Sequence, residues 1–167
     1  MVGGGVIGAA CGRELARAGA SVTLLEKDEL AAGASGRNLG YLDTSKDPAL
    51  APLAREGLGT YFDVAEQAPF PVFLDREPIG TLALTLDENE LDDLRAWVQT
   101  AVGVGVPVDA VEPAELTELE PALSPDVREA WLLHEGRRVD PTALTLAFAS
   151  DGESTAPPSA TTRRRAV

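Results

Sequence analysis

Gly3-Gly4-Gly5-Val6-Ile7-Gly8, running into Ala9-Ala10-Cys11-Gly12-Arg13-Glu14-Leu15-Ala16, is the stretch that decides the fold. Its glycines at 3, 5 and 8 satisfy the spacing G-x-G-x-x-G, and Ala9, Ala10, Gly12, Leu15 and Ala16 follow at helix-compatible intervals. The spacing predicts a tight turn that opens a helix. In such a turn Gly3 permits the bend, Gly5 lets a pyrophosphate approach the backbone, and Gly8 lets helix and strand pack closely. The N–H groups at the helix start, around Val6 and Ile7, then face the phosphates with a partial positive charge.

Moving outward, Ala18-Gly19-Ala20 stops the helix, and Ser21-Val22-Thr23-Leu24-Leu25 reads as a buried parallel strand. Glu26 closes that strand about twenty residues past the turn, where a dinucleotide-binding unit places an acid for the ribose hydroxyls. The result is an α/β, Rossmann-like βαβ unit. Taken alone, the glycines would also fit an ordinary glycine-rich loop beside a surface glutamate. Only Met1 and Val2 precede Gly3, whereas a first central strand supplies about five residues, so the expectation is either an upstream start or a lost strand.

After Glu26 comes Gly33-Ala34-Ser35-Gly36-Arg37-Asn38-Leu39-Gly40. With this second motif the chain resembles the D-amino acid oxidase family of FAD-dependent oxidoreductases, which includes glycine oxidase and sarcosine oxidase relatives. The resemblance runs with lower specificity through Ile79 to Leu84, Glu88 to Val102 and Val139-Asp140-Pro141, covering about the first 150 residues. It implies FAD as cofactor, with Ser35, Arg37, Asn38 and Gly40 beside the pyrophosphate and flavin. It also implies an N-terminal fragment, incomplete at both ends, because family members are usually more than twice as long.

Further along, Pro48 to Ala68 carries a helical pattern interrupted by Gly57 and Gly59. Val72-Phe73-Leu74 and Ile79 to Leu84 read as a hairpin joined by Asp75-Arg76-Glu77-Pro78. Asp87 with Glu90 forms a capping-box pattern for a helix to Val102. Val106 and Val108 suggest a short strand, Glu112 to Leu116 a short helix, and Val127 to His134 another strand with Trp131 packing. Asp140 caps a helix with Pro141 in its first turn. Glu112, Glu115, Glu118 and Glu120 suit a solvated helix start better than a metal site, since no histidine joins them. His134 reads as a structural or surface residue. The organisation expected is 1–70 as the FAD-binding part, 71–138 as part of an α+β substrate lobe, 139–150 as a helix returning to the first part, and 151–167 as a disordered tail.

The formal charge is −13, from 27 acidic and 14 basic residues, which disfavours nucleic acid and anionic membranes as partners. One cysteine, Cys11, rules out an internal disulfide and is expected to pack. No basic segment or long apolar run marks a signal peptide or membrane span, so the reading is a soluble cytoplasmic protein. The function expected is oxidation of the C–N bond of a small amine or amino acid by hydride transfer to flavin, with no catalytic residue assignable. Two alternatives stand beside it: a non-catalytic truncated fragment, which weakly binds FAD or joins another subunit, and a nicotinamide-binding Rossmann module.

Overall fold

A computed structural model describes residues 1–44 and 46–155. Five α-helices are present among them: α1 (Val6–Arg17), α2 (Ala51–Gln67), α3 (Leu91–Gly103), α4 (Pro113–Leu119) and α5 (Pro141–Thr155). The strands are β1 (Tyr41–Leu42), β2 (Thr81–Thr85), β3 (Val108–Ala110), β4 (Glu129–Leu133) and β5 (Arg137–Arg138). The chain divides into two compact units. Among the described residues one is formed by Met1–Tyr41, Leu58–Asp75 and residues 138–155, the other by Leu42–Gly57 and Arg76–Arg137. Residues 42–57 thus belong to the second unit, although they lie within the stretch 1–70 read as the first part. No described helix is long and apolar enough to cross a membrane.

In the first unit α1 packs along α5. The buried stripe of α1 is Ala9, Gly12, Arg13 and Ala16, a spacing of three and four residues that faces one neighbour. Cys11 falls off that stripe and is exposed, against the expectation that it packs. Helix α5 buries Leu144, Thr145, Ala147 and Phe148, and the Phe148 ring meets Tyr61 edge-on at 5.8 Å. Asp140 caps it as expected, its Oδ1 accepting from the N–H groups of Thr142 and Ala143 at 2.9 Å each. The helix continues to Thr155, so the tail expected from residue 151 starts too early; residues 156–167 lie outside those described. The expected strand at 21–25 is reduced to one parallel bridge between Val2 and Leu25. Val2 and Leu25 are exposed rather than buried, and Leu25 exchanges backbone hydrogen bonds with Met1 and Gly3 (Leu25 N–H to the Met1 carbonyl, Gly3 N–H to the Leu25 carbonyl).

In the second unit an antiparallel sheet runs in the order β2-β4-β3, with Thr81 opposite Leu133 and Thr85 opposite Glu129. Alternate residues feed two clusters. Ala83, Trp131 and Leu133 pack with Val98 and Ala101 of α3, while Leu82, Leu84, Ala130 and Leu132 pack with Leu116 of α4. The expected hairpin of 72–74 with 79–84 is not formed. Leu74 instead bridges Val139, Asp75 N–H donates to the Arg138 carbonyl at 2.9 Å, and the Asp75 carboxylate holds the Arg138 guanidinium. Strand character alone names no partner, and each segment pairs with a distant one: Leu74 with Val139, and β2 with β4. The capping box is also rearranged. Asp87 accepts from Asn89 N–H at 2.9 Å, while Glu90 takes the hydroxyl of Thr85 at 2.8 Å.

Arg95 of α3 is fastened to Glu129 of β4 by two hydrogen bonds to Oε2, at 3.0 and 2.6 Å, and one to Oε1 at 3.2 Å, and Trp131 Nε1–H also donates to Oε1, at 2.7 Å. Arg95 first, then Trp131, holds the Glu129 carboxyl below its ordinary value. A carboxyl lowered by folding stabilises fully above its unfolded pKa of about 4.5 and loses that contribution as the pH falls through the lower folded value. Between pH 6 and pH 3 the urea midpoint of the parent is therefore expected to fall further than that of Glu129→Gln. Equal falls would show that this network adds no pH-dependent stability.

Candidate functional site

The site is built within the first unit, where three segments converge on the start of α1. The backbone of Gly3 has φ = 102°, a conformation that L side chains rarely adopt, so the expected tight bend is present at the expected residue. A Cβ on Gly8 would overlap the carbonyl oxygen of Gly3, and it would also touch Leu24 at 3.5 Å. The third glycine therefore lets the helix close on its own turn as well as on the following chain. A Cβ on Gly5 would lie 2.8 Å from Ser35 Oγ. The second glycine thus leaves room first for a side chain of the protein.

Ser35 Oγ accepts the N–H of Val6 at 3.0 Å. Gly5, the residue at the cap position of α1, gives no side-chain cap, so a serine from a loop twenty-nine residues away caps the helix instead. Its hydroxyl proton remains available to donate, because the oxygen is used here as an acceptor. No acid sits in the first turn of α1, and Arg17 sits in its last. The first turn of α1 thus carries no acid of its own to compete for its N–H groups, which suits an anion at its start.

Glu26 reaches the same turn. Its Oε2 accepts Gly4 N–H at 2.6 Å and its Oε1 accepts Asp28 N–H at 3.0 Å. These two backbone donors, Asp28 first and then Gly4, hold its carboxyl below the usual carboxylate range. A carboxylate has further acceptor capacity beyond these donors, and a ribose hydroxyl is a donor it can take.

The remaining expected residues divide. Asn38 serves its own loop: its amide donates to the carbonyls of Ala34 and Ser35 at 3.0 and 3.1 Å, and its Oδ1 accepts Gly40 N–H at 2.8 Å. Gly40 is buried with φ = 65°, and a Cβ there would overlap the Val139 carbonyl oxygen. Arg37 is exposed and pairs with no described residue. Ile7 is 78% exposed, so only its backbone can serve the turn. Gly3, Gly5, Val6, Gly8, Glu26 and Ser35 are brought together; Arg37 and Ile7 are not held to them by side-chain contacts. Two residues of the turn, Gly4 and Ala31, are not marked by the sequence pattern. Gly4 stands at an x of the fingerprint, yet it is buried and bonded to Glu26, and Ala31 N–H donates to the Gly4 carbonyl at 3.0 Å. The signal available for Gly4 is a fourth glycine where the pattern asks for none.

Comparison with known proteins gives the chain a family. A family model described as "FAD dependent oxidoreductase" (DAO) matches residues 1–154. The chain is 32% identical over 155 residues to one subunit of the anaerobic glycerol-3-phosphate dehydrogenase of Escherichia coli, covering 92% of this chain and 28% of that protein. It is 35% identical over 130 residues to the glycine oxidase of Geobacillus kaustophilus, covering 74% of this chain and 34% of that protein. The crystal structure of glycine oxidase from Geobacillus kaustophilus superimposes with a TM-score of 0.79 at 30% identity, over 98% of this chain and 45% of that one. The chain spans about a third or less of the length of these curated relatives.

Proposed function

We propose that this chain, which belongs to the DAO family of FAD-dependent oxidoreductases, forms the adenosine and pyrophosphate side of an FAD site in an enzyme that oxidises a small amine or amino acid. The observation that carries the reading is the convergence of Gly3, Gly5, Gly8, Glu26 and Ser35 on the start of α1. FAD, the cofactor by which the family is described, replaces the nicotinamide alternative.

The residues present fit such a group. The bend at Gly3 and the bare backbone at Gly5 leave a cradle that a side chain would fill, and the N–H groups of Gly5 and Ile7 join the positive pole of α1. Ser35 accepts from Val6, and its own hydroxyl proton would be the donor to a phosphate oxygen. Glu26 would accept a ribose hydroxyl beside the backbone donors it already holds. Asn38 keeps the loop 34–40 in one shape, and Gly40 lets that loop pass close to Val139; both act on the cofactor through backbone placement. Arg37, exposed and unpaired by its own unit, is the cation available to the flavin side. When bound, FAD supplies the acceptor for a hydride equivalent leaving the substrate carbon next to nitrogen. The first unit is the cofactor part and the second contributes to the substrate lobe.

The amine reading draws on the likeness to glycine oxidase in sequence and in structure. A second reading, oxidation of the carbon bearing a hydroxyl in a polyol phosphate, draws on the likeness to the anaerobic glycerol-3-phosphate dehydrogenase. One experiment separates them. The protein is titrated with FAD by quenching of flavin fluorescence, and the loaded protein is mixed anaerobically with glycine, sarcosine, proline or glycerol 3-phosphate while the flavin absorbance is followed. Bleaching by an amine supports the first reading, and bleaching by glycerol 3-phosphate alone supports the second. Absence of FAD binding would defeat the cofactor reading for this chain and leave the non-catalytic fragment.

A further inference from the structure

We propose that Glu26 is a positioning residue of the glycine turn: together with Ala31 it clamps both backbone polar groups of Gly4 and keeps the turn open before any cofactor arrives. The proposal rests on the reading of that turn as a pyrophosphate cradle, and it assigns the acid a task that contact with ribose alone does not require.

Gly4 is buried, and its N–H and C=O are both taken by the segment 26–31. Glu26 accepts the first at 2.6 Å and Ala31 donates to the second at 3.0 Å. Ala31 reaches its position with φ = 64°, the one non-glycine residue in that region among those described. Such a backbone persists only where its surroundings over-determine it, and here the bond to Gly4 is one of the constraints. The fit leaves no slack, since a Cβ on Gly4 would overlap Leu30 Cδ2 and come within 3.0 Å of Glu26 Cβ. The other Glu26 oxygen is bound by Asp28 N–H at 3.0 Å, so the carboxylate is anchored to its own loop on one side and to the turn on the other. The charged neighbour that it feels is Lys27, whose ammonium is exposed and lies 3.6 Å from Asp28.

A carboxylate is required for this geometry. It presents acceptors on both oxygens, whereas the amide of a glutamine would point N–H groups at one of the two backbone donors. Glu26→Gln, although isosteric, breaks one arm of the clamp. The consequence should appear even with a ligand that lacks ribose hydroxyls.

The first measurement uses the full chain without cofactor. Amide resonances of Gly4 and Asp28 are followed from pH 7 to pH 3, and they are expected to move together with one midpoint below the ordinary carboxylate value. In Glu26→Gln the shared titration disappears, and Gly4 N–H exchanges with solvent at least tenfold faster at pH 7. The second measurement titrates ADP and 2′,3′-dideoxy-ADP into both proteins. The clamp predicts that Glu26→Gln weakens the dideoxy nucleotide about tenfold and ADP by more. Unchanged binding of dideoxy-ADP, or a Gly4 amide insensitive to both pH and the substitution, would overturn it. Should the parent bind neither nucleotide, the cofactor reading fails, while the amide titration still decides whether the clamp exists.

Discussion

Gly8→Ala is expected to lower the stability of the first unit by about 3 kcal/mol and to weaken FAD binding roughly a hundredfold, while Gly12→Ala four residues on leaves both nearly unchanged. The two positions look equivalent in sequence, being small residues on one face of α1. They differ in what a methyl group would meet. At Gly8 it overlaps the Gly3 carbonyl oxygen, a backbone atom that can retreat only by opening the turn. At Gly12 it meets Val22 Cγ1 at 3.6 Å, an ordinary contact, and the helix gains up to about 1 kcal/mol in propensity from losing a glycine. Thermal melting of the cofactor-free protein and FAD fluorescence titration read the two effects separately. If Gly12→Ala proves as damaging as Gly8→Ala, the helix face is short of space along its length, and the special status of the turn is lost.

This contrast shows where the sequence is legible. The positions of Gly3, Gly8, Glu26 and Ser35 can be anticipated because each is tied to a local pattern or a family motif, and patterns of that kind report backbone requirements. The cap of α5 at Asp140 follows from the same local chemistry. What cannot be read are choices made between distant segments. Ser35 as the cap of α1, Ala31 as a partner of Gly4, and Leu74 pairing with Val139 each join residues separated by more than a local period. The hairpin expected over 72–84 fails for this reason: both segments have strand character, and strand character does not name the partner. Gly4 shows a further limit, since a fingerprint written with an x says nothing about a residue that the rest of the chain grips on both sides.

Asp151→Ala is expected to destabilise the first unit by about 3 kcal/mol, although the residue lies where the sequence turns from apolar to polar and the pattern alone makes it the first of a disordered tail. In the structure Asp151 belongs to α5 and binds the Arg13 guanidinium, which is only 5% exposed; Glu14 holds the same guanidinium, and Arg17 stands 3.8 Å from Asp151. Arg13 also lies over the Phe148 ring at 5.9 Å, and a Cβ on Gly152 would come within 3.2 Å of the Arg13 Cα, so α1 and α5 cross closely at this point. Removing the aspartate strands a buried cation whose other acidic partner, Glu14, is 60% exposed to solvent. Because α1 begins at the glycine turn, loosening its contact with α5 should also reduce FAD affinity, by less than Gly8→Ala does. The cost arises from an unpaired charge, so it should be recovered when the charge is removed too. Arg13→Met combined with Asp151→Leu is expected to melt within about 1 kcal/mol of the parent, since a buried ion pair and well-packed apolar replacements are often equivalent. A double variant that melts as early as Asp151→Ala would show instead that the pair sets the register between the helices. A single variant that melts like the parent would show that α5 does not hold α1 through this residue.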